Sequence, residues 1–296
     1  MGRMIGSSRL LFCIFLFTLP LFSLRTASEE VEDESEFNYV EGSKIGPSRW
    51  GEIRPEWRTC KNGSMQSPID LMSKSVEIIS HLGDLRMSYR PSNATLKNRG
   101  HDIMLRWEGG AGSMHINGTE YVLQQCHWHS PSEHSIDGKR FDVELHLVHE
   151  TPNGEAAVVG IMYKYGPRDT FLSSIMDHLG AIAETGEAEK AIGVVHPKGI
   201  KILGRKYYRY IGSLTTPPCT ENVKWIIFQK VMTVARKHVE LLRDSVNDDA
   251  ELNARPLQPV NGRNIQLYTR EERTRRRTIE DPHYQFSADH VKIEEC

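Results

Sequence analysis

The chain has 296 residues, a formal charge of −2 at neutral pH, 39% apolar residues and 26% charged residues. That length is enough for one large hydrophobic core. The balance excludes a disordered chain, a fibrous repeat, a multi-span membrane protein and a small disulfide scaffold, and no basic surplus points to nucleic acid.

Residues 10–24 form a nearly unbroken apolar run behind Arg3 and Arg9. Roughly 15 residues falls short of the roughly 20 a spanning helix needs. Pro20 interrupts the run, and Thr26, Ala27 and Ser28 follow it. The pattern predicts a secretory signal peptide over residues 1–27, the alternative being an uncleaved anchor. Residues 28–36 read as an acidic, flexible lead-in. Asn62, Asn93 and Asn117 each head an Asn-x-Ser/Thr sequon, which predicts glycosylation and fits entry into the secretory pathway. Neither a retention tetrapeptide nor an apolar anchor tail closes the sequence. Secretion to the extracellular space without a stable membrane anchor is the expectation, with plastid delivery by the secretory route as the alternative.

Once Cys13 leaves with the signal peptide, Cys60, Cys126, Cys219 and Cys296 remain. Four cysteines allow three full pairings, and an oxidising compartment favours at least one disulfide. Cys126, flanked by apolar strand residues, reads as a buried thiol, and Cys296 sits in a polar tail. That leaves Cys60 with Cys219.

From Phe37 the chain reads as one domain over residues 37–270. Alternating stretches at Asp102–Trp107, Glu120–His129 and Asp142–His149 are separated by turn residues and predict strands of an antiparallel sheet. Arg168–Ala183 and Gln229–Val246 carry apolar residues at helical spacing, and Val223–Phe228 is again a strand. Residues 271–296 form a polar tail. Arg270–Arg277, with five Arg and two Glu, reads as a solvated charge run.

Gln125-Cys126-His127-Trp128-His129 carries the chemistry. On a strand, Gln125, His127 and His129 share one face, while Cys126 and Trp128 share the other. Two imidazoles so placed can grip one metal ion, although H-x-H alone is weak evidence. In Val143–His149, Glu144, His146 and Val148 share a face, so an antiparallel neighbour can present His146 to the same ion. Glu144 is then placed to accept an imidazole N–H and fix its orientation. Each histidine by itself is equally well explained as a core residue; three with matching parity are not. Three neutral imidazoles leave a tetrahedral zinc with one open position, the arrangement of a catalytic site.

These residues resemble an alpha-class carbonic anhydrase of the secreted plant type. The resemblance also rests on Gly46-Pro47 with Trp50-Gly51, Gln66-Ser67-Pro68-Ile69-Asp70, Asn98-Arg99-Gly100-His101 and Gly212–Cys219, and spans about Phe37 to Leu267. Carbonic anhydrase is itself the standard example of a three-histidine catalytic zinc site. The resemblance implies a mainly β, single-domain fold with a central twisted, mostly antiparallel sheet of roughly ten strands, few short helices and extensive loops. It implies a carbonate dehydratase that hydrates carbon dioxide reversibly to bicarbonate and a proton through zinc-bound hydroxide. His127, His129 and His146 correspond to the zinc ligands, and Gln125 and Glu144 to the groups that orient them. Thr215 corresponds to the residue that aligns the hydroxide and donates to Glu133. Val148, Val158, Leu214, Val223 and Trp225 correspond to the apolar wall for carbon dioxide. His101 corresponds to the proton shuttle, with Tyr39 and Thr216 ordering water. His134 and His149 read as structural.

Two departures from the family pattern bear on proton export. Arg99 and Met104 stand where polar amides are common, and the cation is expected to disfavour a protonated His101. Two rival readings remain. One is a non-enzymatic storage or binding protein on the same scaffold. The other is a cupin-type metal oxidoreductase, because His127-Trp128-His129 with Glu133 spells H-x-H-x₃-E. Against the cupin, Tyr121 replaces an expected glycine and the second cupin motif is missing.

Overall fold

The computed structural model describes residues 36–80, 85–185, 188–246 and 252–269. The expectations for the signal peptide, for residues 28–35 of the lead-in, and for the tail with Cys296 lie outside the described residues. In chain order the strands are β1 (Asp70–Leu71), β2 (Glu77–Ile79), β3 (Leu85–Tyr89), β4 (Ser92–Asn98) and β5 (Ile103–Trp107). Next come β6 (Gly112–Ile116), β7 (Thr119–His129), β8 (Ser135–Ile136), β9 (Val143–Glu150) and β10 (Ala156–Tyr165). The last five are β11 (Glu189–Val195), β12 (Tyr207–Ser213), β13 (Glu221–Phe228), β14 (Met232–Val234) and β15 (Gln266–Tyr268). Helices are α1 (Trp50–Ile53), α2 (Thr59–Asn62), α3 (Thr170–Thr185) and α4 (Arg236–Asp244). No helix of the described residues is long and apolar enough to cross a membrane.

One 13-stranded sheet dominates, its main path running β11-β4-β5-β7-β9-β10-β13-β12-β15-β2. The expected antiparallel pairing holds through β4, β5, β7, β9 and β10. Parallel pairs occur where β10 meets β13 and β14, and where β15 meets β2. The mainly β fold is therefore the expected one, with a mixed sheet.

The sheet has two unlike faces. Behind it lies the larger apolar cluster, including Leu105, Cys126, Trp128, Leu145 and Leu147. Helix α3 covers this side with Phe171, Ile175, Leu179 and Ile182, the helical stripe read in the sequence, and with Leu172 beside them. Each such side chain contributes about 1.5–3 kcal/mol on burial. In front, a smaller cluster joins Val148, Val158, Leu214, Val223 and Trp225. At the edge of the front, Phe37, Tyr39, Trp50 and Trp57 pack around Cys60 and Cys219.

Two predicted boundaries need correction. The first helix begins at Thr170 because the Asp169 carboxylate accepts the Leu172 N–H at 2.8 Å, acting as an N-cap. The second is Arg236–Asp244 rather than Gln229–Val246. The β-branched stretch before it pairs with β10 as β14, and sheet pairing overrides helical spacing there.

Candidate metal centre

Strands β7 and β9 place His127 opposite His146 and His129 opposite Glu144. A register shift between Leu123 and Gln125 resets the alternation of β7. Upstream Tyr121 and Leu123 therefore join Cys126 and Trp128 behind the sheet, while Gln125, His127 and His129 face forward. Such a bulge re-aims side chains at the edge of a site. Without it, strict alternation would set Tyr121 and Leu123 on the histidine face.

The three imidazoles converge, with ring centroids 4.7–5.2 Å apart. One ligand nitrogen from each lies within 4.8 Å of the others. Every ring is oriented by an acceptor. His127 Nδ1 donates to Gln125 Oε1 at 2.8 Å, His129 Nδ1 to the Asn253 carbonyl at 2.7 Å, and His146 Nε2 to Glu144 Oε1 at 3.0 Å. An amide oxygen, a carbonyl and a carboxylate can only accept. The opposite nitrogen of each neutral ring then carries the lone pair a metal needs. His129 Nε2 is buried and has no hydrogen-bond partner. This donor set fits a zinc ion with one position left open.

Glu144 is completely buried. It also accepts from His134 through Nδ1 and through the backbone N–H, both at 2.8 Å. Burial pushes its carboxyl up, but His134 and His146 more than offset this and hold it well below the usual carboxylate range. His134 Nε2 in turn meets the Tyr210 hydroxyl at 2.7 Å, and Tyr210 meets Ser67 Oγ at 2.8 Å. Because His134 donates to Glu144, it accepts from Tyr210, whose phenol burial keeps protonated. A buried chain of hydrogen bonds thus runs from Ser67 to His146. The sequence reading left His134 as structural, and its place is in this chain. His149 lies behind the sheet against the Tyr89 hydroxyl at 2.8 Å.

Glu133 is buried, and its Oε1 accepts the Arg255 backbone N–H at 2.9 Å. Its Oε2 lies 3.6 Å from His129 Nε2 and 4.0 Å from His146 Nδ1, with no hydrogen-bond partner. Among the described residues Oε2 meets no hydrogen-bond donor, so the expected hydrogen bond from Thr215 is not formed. Thr215 and Thr216 are buried in a turn closed by Leu214 N–H to the Thr220 carbonyl and Cys219 N–H to the Thr216 carbonyl, at 2.9 and 2.8 Å. The Cys60–Cys219 disulfide, expected from the sequence, ties this turn to α2 across 159 residues. Cross-linking a loop of that length stabilises by up to about 5 kcal/mol in the chain-entropy model. Cys126 is a free buried thiol, as expected, and burial pushes its pKa up.

Val148, Val158 and Trp225 are direct neighbours across β9, β10 and β13. The Trp225 ring is 4.9 Å from the His146 ring. With Leu214 and Val223 they form one apolar surface beside the histidines.

His101 is less exposed than a shuttle residue reaching solvent would be. Its side chain is 0% exposed, with the Phe37 ring 4.8 Å away and Tyr39 at 6.4 Å. Arg99 does not stand as a lone cation beside His101. Its guanidinium makes a two-point ion pair with Asp102, Nε to Oδ1 at 2.7 Å and Nη2 to Oδ2 at 2.5 Å. Asp102 Oδ2 lies 3.8 Å from His101 Nε2, so the ion pair presents a carboxylate to His101. Met104 is buried directly across from His127.

Asn253 and Arg255 escaped the sequence reading. The Asn253 side chain accepts the Ser130 N–H and donates to the carbonyls of His101 and Trp128. The buried Arg255 guanidinium donates to the carbonyls of Ser67 and Cys60 and lies over Trp50. A polar stretch far along the chain carries no local signal that it closes a site.

The family model for eukaryotic-type carbonic anhydrase matches residues 45–269. The chain is 59% identical over 263 residues to alpha carbonic anhydrase 7 of Arabidopsis thaliana, a match covering 86% of this chain and 96% of that relative. It is similar to the crystal structure of dioscorin complexed with ascorbate, with TM-score 0.78 and 44% identity over 80% of this chain and 99% of that one. It is also similar to alpha-carbonic anhydrase from Thermovibrio ammonificans in complex with the inhibitor sulfanilamide, with TM-score 0.69 and 35% identity over 78% and 98%. Sheet, histidine cluster and relatives agree: the chain belongs to the eukaryotic-type, alpha-class carbonic anhydrase family, a family of carbonate dehydratases.

Proposed function

We propose that the domain over residues 37–270 hydrates carbon dioxide reversibly to bicarbonate and a proton, using a zinc ion held by His127, His129 and His146. The observation that carries this reading is the convergence of three acceptor-oriented imidazoles beside the apolar surface of Val148, Val158 and Trp225. A bound zinc supplies Lewis acidity that lowers the pKa of a water at its open position. Gln125, Glu144 and the Asn253 carbonyl keep the ring tautomers fixed. Glu133 can only accept, so it takes the single proton of the Thr215 hydroxyl. Thr215 Oγ1 is then left to receive a hydrogen bond from the attacking oxygen. That aims a lone pair at carbon dioxide, which Val148, Val158, Leu214, Val223 and Trp225 hold out of water. The Thr215 N–H meets charge developing on a substrate oxygen, and Thr216 lines the same turn. His101, buried beneath Phe37, takes up the released proton on its way out to buffer.

The disulfide fits an oxidising compartment, and Asn62, Asn93 and Asn117 are all exposed. Both features support a secreted glycoprotein. The intact histidine cluster with Glu133 and Thr215 favours an enzyme over a binding protein on the same scaffold. Family membership removes the cupin reading.

Purified protein should contain one zinc per chain and hydrate carbon dioxide in a stopped-flow assay. Activity should fall with zinc under chelation and return on re-addition. A folded, zinc-loaded protein without hydration activity overturns the proposal.

A further inference from the structure

A cavity of about 880 Å³ opens behind the sheet, away from His127, His129 and His146. Side-chain alternation fixes its side. Tyr207 and Phe228 belong to the rear cluster, whereas Tyr208, Tyr210 and Ile227 belong to the front one. Ligand-binding cavities typically span roughly 300–1,000 Å³ with mainly apolar walls and a few placed polar groups.

The wall is aromatic. Tyr207 packs against Phe228 at 5.8 Å and nearly parallel to Tyr268 at 5.0 Å, and the Tyr89 ring closes another side. The Tyr89 hydroxyl is committed to His149 Nε2 at 2.8 Å. Burial depresses His149 to about 4, so its ring is neutral and accepts that hydroxyl. Burial also pushes the Tyr207 phenol up to about 12. These phenols are uncharged, and what they offer a guest is ring surface. Leu85, Met87, Ile200, Ile202 and Leu203 add to the apolar lining. Lys198, Lys201 and Arg205 stand exposed at the mouth, and no carboxylate lines the cavity among the described residues.

We propose that this cavity binds a planar aromatic anion, an aromatic carboxylate or sulfonate, with its rings against Tyr207 and Tyr268 and its charge toward Lys198, Lys201 and Arg205. Offset ring stacking and cation contacts at the rim are the two attractions on offer. The cationic rim would repel an aromatic cation, and a neutral sugar would leave the rim charges unmatched. The site is separate from the metal centre, so occupancy does not require catalysis.

The test uses the zinc-loaded protein with 8-anilinonaphthalene-1-sulfonate, in parallel with uncharged N-phenyl-1-naphthylamine, by calorimetry and fluorescence. Expected is saturable binding of one sulfonate probe per chain, weakening as salt rises. The K198E/K201E/R205E variant, altered only at exposed positions, should lose at least tenfold in affinity for the sulfonate. It should bind the neutral probe within about twofold of wild type and keep its hydration activity. Sulfanilamide, the inhibitor bound to the Thermovibrio relative, should not displace the probe. Absence of saturable binding, equal sulfonate affinity in the variant, or displacement by sulfanilamide overturns the proposal. So does probe binding that appears only after truncation beyond Thr269, or only on dissociation of a dimer, since either assigns the cavity to polypeptide.

Discussion

Strand β9 carries His146 and Glu144 on its front and Leu145 and Leu147 on its back. All four are buried, yet different physics holds them. Behind the sheet, Leu147 is one of many apolar neighbours, and dispersion and burial are shared among them. In front, Glu144 has named donors at fixed distances. Removing one would leave a buried polar group unsatisfied. Loss behind the sheet should therefore be graded and thermodynamic. Loss in front should be abrupt and chemical.

The sharpest break of that contrast is His146→Ala. Zinc measured after dialysis should fall well below one per chain, and hydration should drop to background. Stoichiometric zinc with full activity would remove His146 from the centre. Leu147→Ala is the counterpart from the other face. A buried Leu→Ala change costs about 2–5 kcal/mol, read as a lower urea midpoint, while zinc content and kcat/KM of the folded fraction stay within about twofold. A specific loss of zinc at unchanged stability would show that the two faces are not separable.

Thr215→Val keeps shape and removes the hydroxyl. Zinc should stay, and kcat/KM should fall roughly 10²-fold, the scale of a misplaced reacting atom. An unchanged rate would detach Thr215 from the reaction. The smallest effect belongs to His101→Ala. At low buffer, turnover should drop several-fold with kcat/KM nearly unchanged, and small imidazole buffers should restore it. Because His101 is buried beneath Phe37, wild-type turnover is the necessary control. If the variant is silent and wild type ignores buffer concentration, the proton leaves by another route.

Much of the front was legible because the chemistry sits on strands. Parity alone put His127 with His129 and His146 with Glu144, and both strands occur close to where the alternation predicts them. The cysteine pairing also followed from elimination. Parity does not carry upstream of Gln125, because a bulge is a property of two paired strands rather than of one. Helical spacing failed at Met232–Val234, where a short segment took its structure from its neighbour β10.

The sequence by itself determined that His127 and His129 share one face of a strand, as His146 and Glu144 do on the next, since a period of two is a local property of the backbone. The tertiary structure decided what each group meets. His129 donates to a carbonyl 124 residues away, and Glu133 accepts an N–H 122 residues away. Arg99 is paired with Asp102, and His101 is covered by Phe37 rather than left at the surface. Such partners depend on how distant segments close over the sheet, and no local pattern encodes that closure.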